Sequence, residues 1–78
     1  TPEERQQMIA GMVSQLSERL AAEGGPAEDW AKLINAYGVM GNTDSARAIW
    51  TEAQSRFADR PDELEMIRAA ALQAGVAE

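Results

Sequence analysis

Three kinds of side chain in this chain of 78 residues could in principle do chemistry. Carboxylates cluster at Glu3-Glu4, at Glu28-Asp29 and at Asp62-Glu63-Glu65. Paired carboxylates can act as general acid and base, or surround a calcium ion, but both uses need convergence on one point. Each cluster instead falls in the first turn of a helical pattern, where negative charge is favoured by the macrodipole. Four methionines, at positions 8, 12, 40 and 66, could be thioether ligands to haem iron. Without a His partner, packing is the better account of Met12 and Met40, while Met8 and Met66 suit an adaptable partner surface. Trp30, Tyr37 and Trp50 could form an aromatic ligand platform, yet their periodic placement points to core packing.

What the chain lacks narrows the chemistry further. It has no Cys and no His. Thiol nucleophiles, imidazole bases, the usual zinc sites and haem attachment through Cys-x-x-Cys-His are therefore excluded. No nucleophile has an adjacent base, so the expectation is a non-enzyme with no catalytic residue, cofactor or metal. The net charge of −6 is wrong for nucleic acid or an anionic membrane and right for a basic partner. Absence of Cys suits an oxidising compartment without identifying one. No stretch is long or apolar enough for a signal sequence or a membrane span. A chain beginning at Thr1 is expected to be a piece of a longer protein.

The elements that would position these residues are four helices. Thr1-Pro2-Glu3-Glu4 reads as an N-cap, a proline in the first turn and a capping box. Ile9, Met12, Val13, Leu16 and Leu20 then recur at spacings of three and four, marking one apolar face. Gly24-Gly25-Pro26 ends that helix. The second runs from about Pro26 to Met40 with Trp30, Leu33, Ile34 and Tyr37 on its buried side, and stops at Gly41-Asn42. Asn42 or Thr43 caps the third, which carries Ala46, Ile49, Trp50, Ala53 and Phe57. After Ala58-Asp59-Arg60-Pro61 comes a fourth with Leu64, Ile67, Ala71 and Leu72, ending near Gly75. The expected fold is all-α, a single domain near the lower size limit for a self-sufficient core.

A repeat connects these helices. Trp30, Leu33, Tyr37 and Gly41 return thirty-four residues later as Leu64, Ile67, Ala71 and Gly75. That period belongs to a helix–turn–helix unit that stacks side by side and binds polypeptides far more often than it catalyses. Small Ala46 and Ala53 read as close contact points with the second helix, and Trp30, Tyr37 and Trp50 as the large fillers around them.

Residues Trp30 to Ala53 resemble one complete tetratricopeptide repeat. Gly41-Asn42 takes the place of the usual Gly-Asp turn, Ile34 stands where a small residue is usual, and Ala58 where Pro is common. The resemblance implies a helical hairpin stack: a packing helix over residues 1–23, a complete repeat over 26–58, and the first helix of a partial repeat over 60–75. A narrower resemblance rests on Thr1-Pro2-Glu3-Glu4-Arg5-Gln6-Gln7-Met8-Ile9, Gly11-Met12-Val13, Leu16 and Arg19-Leu20, followed by an acidic repeat opening on Trp30. Over roughly the first fifty-seven residues the chain is similar to the carboxy-terminal domain of the CcmI (CycH) family of cytochrome c biogenesis proteins. That similarity implies a periplasmic domain of a bacterial inner-membrane protein. Such a domain holds apocytochrome c by its carboxy-terminal helix and delivers it to the haem-ligation complex. An acidic, Cys-free chain would attract a basic helical client and form no mixed disulfide with it.

In tetratricopeptide repeats the first helix of each pair lines the concave surface. The corresponding outward positions here are Glu28, Ala31, Asn35, Gly38 and Val39, then Asp62, Glu65, Ala69, Leu72 and Gln73. They form an expected partner-binding groove, acidic at one end, small and apolar beyond, with no Lys or Arg. The alternative is a scaffold or self-assembly module of a bacterial multiprotein complex, in which the unfinished last repeat stacks on another copy or on a missing part of the chain.

Overall fold

The computed structural model describes residues 1–77. They form four helices: α1 (Pro2–Glu23), α2 (Ala27–Val39), α3 (Thr43–Arg56) and α4 (Pro61–Gln73). The all-α expectation holds, and successive helices stack as hairpins. The starts follow from capping chemistry. The Thr1 hydroxyl accepts from the Glu4 N–H at 3.2 Å, while the Glu4 carboxylate accepts from the amino terminus of Thr1 at 3.4 Å. Asn42, rather than Thr43, caps α3, its Oδ1 accepting from the Ser45 N–H at 3.3 Å.

The thirty-four-residue period is written into the backbone itself. At the end of α2 the Asn42 N–H donates to the Tyr37 carbonyl at 2.9 Å, and Gly41 donates to Gly38 at 3.1 Å. At the end of α4, Val76 donates to Ala71 at 2.9 Å and Gly75 to Leu72 at 3.1 Å. These paired bonds satisfy carbonyls left open at a helix end, and they require a residue in the left-handed region. Gly41 (φ 76°) and Gly75 (φ 78°) supply it.

Helix α2 is the hub, packed against α1, α3 and α4, while α3 also meets α4. Trp30, Leu33, Ile34, Ala46, Ala53, Ile67 and Ala71 are fully buried around it, with Trp50 and Phe57 nearly so. Ala46 and Ala53 are thus the close contacts that their size suggests, and both tryptophans belong to the scaffold. Trp30 meets the Phe57 ring edge-on at a centroid distance of 6.1 Å, and the Arg56 guanidinium lies 5.2 Å from its centroid. Its indole N–H finds no acceptor among the described residues. A second cation–ring pair joins α3 and α4, where the Arg68 guanidinium sits 5.3 Å from the Trp50 ring centroid.

Two expectations about burial need correction. The stripe on α1 is buried only in its second half: Val13 and Leu20 are in the core and Leu16 packs against it, but Ile9 is 43% and Met12 67% exposed. The reason is positional. The backbone of α1 approaches only α2, and its 22 residues outrun the 13 of α2 by about 13 Å at 1.5 Å per residue. Tyr37, expected in the core, is only partly buried at its edge.

Candidate functional site

The outward positions read from the sequence divide into three groups. Glu28, Asn35, Asp62, Glu65, Ala69 and Gln73 are exposed, together with Val39 at 90% and Leu72 at 49%. Ala31 is half-buried and packs against the core. Gly38 is half-buried for a different reason: the chain at the end of α4 passes close to it. A Cβ built there would lie 2.9 Å from the Ala74 Cβ and 3.2 Å from its Cα. Its backbone is therefore occupied by the fold's own packing.

A marked concavity lies between the first half of α1 and α2. It is a groove of about 1130 Å³. Helix α1 contributes Glu3, Gln6, Gln7, Ile9 and Ala10; α2 and its C-cap contribute Lys32, Asn35, Ala36, Val39 and Met40; α4 contributes Gln73. A second, shallower hollow of about 530 Å³ continues along the same crease past Met12, Val13, Leu16 and Arg19, sharing Lys32 and Ala36. Asn35, Val39 and Gln73 are the three expected groove residues that the structure brings together here. Glu28, Asp62, Glu65, Ala69 and Leu72 lie outside both hollows.

Sequence reasoning missed the whole α1 side of this site, and on α2 it missed Lys32, Ala36 and Met40. It also expected no cation in the groove, whereas Lys32 lines both hollows. The missed signal was the apolar stripe of α1, read as core when half of it faces the crease. At the far end of the crease exposed Arg19 reaches half-buried Asp29 at 3.7 Å, a pair that links α1 to α2 and adds little stability.

The groove is mixed in chemical character. Its lining combines apolar Ile9, Ala10, Ala36, Val39 and Met40 with the amides of Gln6, Gln7, Asn35 and Gln73, one carboxylate and one ammonium. Among the described residues no group of three or more carboxylates is placed to hold a metal ion. Among the same residues no helix is long and apolar enough to cross a membrane.

Comparison with known proteins finds one curated relative that matters here. Over 64 residues, 82% of the chain, the sequence is 33% identical to the cytochrome c-type biogenesis protein CycH of Bradyrhizobium diazoefficiens. The chain spans 17% of the length of that relative. No family model matches the chain, and no solved structure matches it.

Proposed function

Since the chain is related over most of its length to the CcmI (CycH) family of cytochrome c biogenesis proteins, we propose that it is a non-catalytic polypeptide-binding module acting in c-type cytochrome maturation. Its client is apocytochrome c, held by the carboxy-terminal helix and passed to the haem-ligation complex, and its place is the periplasmic side of the bacterial inner membrane. The observation that carries this reading is the groove between α1 and α2, lined by apolar and amide side chains and large enough for several side chains of a docked segment. The acidic residues Glu28, Asp62 and Glu65 on the exposed sides of α2 and α4 give a basic client a favourable approach. Asn35, Val39, Ala69, Leu72 and Gln73 complete the proposed contact face, behind which Ala31 packs on the core and Gly38 against Ala74.

The test is titration of the folded chain with a peptide covering the carboxy-terminal helix of an apocytochrome c. Saturable binding is expected, weakening several-fold between about 50 and 300 mM salt because exposed charges are screened over roughly a Debye length. Absence of binding at millimolar peptide, with the helical spectrum of the chain intact, would overturn the reading.

A further inference from the structure

The fold shows, one period further on, what covers a crease of this shape. Ala46 on α3 is fully buried and Trp50 nearly so, where α3 meets α2 and α4; Ala70 on α4 is also buried, and Ala74 packs against Gly38 of α2. Thirty-four residues earlier the corresponding positions are Met12, Leu16, Ala36 and Met40. All four line the open crease, with Met12 67% and Met40 42% exposed. Within the molecule the covering element is α2, a helix of 13 residues.

We propose that the α1–α2 crease is a seat for a single amphipathic helix of a partner polypeptide, lying parallel to α2 as α2 lies on α4. Charge fixes its direction. Lys32 stands in the first half of α2, and Glu3 lies in the first turn of α1, which runs past the end of α2; both line the groove. A helix parallel to α2 presents its first turn towards Lys32 and its last turn towards Glu3. The fitting occupant has acidic residues in its first turn, Lys or Arg in its last, an apolar stripe between, and Gly or Ala where it crosses Met40. Gly38 meets the same steric demand in α2, against the smaller Ala74. The pattern also suits the occupant's own macrodipole. This proposal names the seat and polarity of the client helix and so rests on the binding reading above.

The test uses two synthetic fourteen-residue peptides of one composition. One has Glu in the first turn and Lys in the last, the other the reverse, and both are stapled on the outer face so that helicity is equal. Binding to the full chain is read by fluorescence anisotropy and by methyl spectra of methionine-labelled protein. The first peptide should bind about five-fold more tightly, the effect of two exposed ion pairs, and should move the Met12 and Met40 methyl signals but not Met66. Ile9→Glu should weaken it at least ten-fold with the helical spectrum unchanged, and the pair Glu3→Lys with Lys32→Glu should invert the preference between peptides.

Equal affinities, an unmoved preference in the charge-swapped chain, or shifts confined to Met66 would overturn the proposal. So would Met12 and Met40 signals that move with protein concentration alone, which would make a second copy the occupant. The two readings fail separately. A crease that binds the designed peptide but no apocytochrome segment retains the seat and loses the client, whereas an apocytochrome segment that shifts only Met66 does the opposite.

Discussion

Two glycines within helices, Gly11 in the middle of α1 and Gly38 in the last turn of α2, differ in what surrounds them. Nothing lies within 4 Å of a Cβ built at Gly11, so Gly11→Ala removes only the backbone-entropy cost of glycine. It should stabilise the fold by about 0.5–1 kcal/mol. Gly38→Ala gains the same helix propensity but drives a methyl to 2.9 Å from the Ala74 Cβ, with the Ala74 backbone close behind. The two helices must separate, and a net loss of about 1–3 kcal/mol is expected. Urea titrations of both variants check the pair; stabilisation by both would mean that α2 and α4 are not in contact at this point. The sequence carries no signal that separates them, because the difference lies in Ala74, thirty-six residues away from Gly38. Gly41 and Gly75 were legible because a left-handed turn between stacked helices is a local demand. Ala46 and Ala53 were legible because small residues alternating with tryptophan already describe a close contact.

At the level of the helices, α1 and α3 are tied where their backbones do not meet. The Arg56 guanidinium donates to the Ala21 carbonyl at 3.0 Å, lies 3.7 Å from the Glu52 carboxylate, and covers the Trp30 ring. Ala21 is in the last turn of α1, which carries no basic residue of its own, so Arg56 supplies both a donor and a positive charge to that helix end. Arg56→Ala should cost about 1–2 kcal/mol, from one charge-assisted hydrogen bond and lost packing on Trp30. Arg56→Lys should recover only part, because an ammonium cannot lie flat on the ring and reach the carbonyl together. Thermal melts of the three proteins check the ranking, and a lysine variant as stable as the parent would show that charge alone matters. The four helices and their ends were legible from caps, prolines and glycines, all local signals. An apolar stripe, by contrast, marks which side of a helix avoids water but not which neighbour covers it. That is why Ile9 and Met12 were expected in the core, and why the α1 side of the groove had no counterpart in the sequence reading.

Taken whole, the molecule is an asymmetric stack in which stability declines along α1 away from the hub. Helix α2 is enclosed by three neighbours, whereas every residue of α1 before Val13 is exposed and buries no side chain in the core. A helical segment of about twelve residues without tertiary contacts is marginal in water. Amides of residues 5–11 should therefore exchange within about two orders of magnitude of an unstructured chain, by local fraying, while those of Leu33 and Ile34 wait for global unfolding. The same segment supplies Glu3, Gln6, Gln7, Ile9 and Ala10 to the groove, so ordering it is part of any binding event there. Hydrogen exchange followed residue by residue should show the gradient in the free chain. A saturating crease-binding peptide should slow residues 5–11 by ten-fold or more, beyond any change at α4. Protection of the first half of α1 equal to that of α2 in dilute, peptide-free solution would mean that the groove is already covered. Protection gained at α4 instead would move the binding surface to the opposite side of the stack.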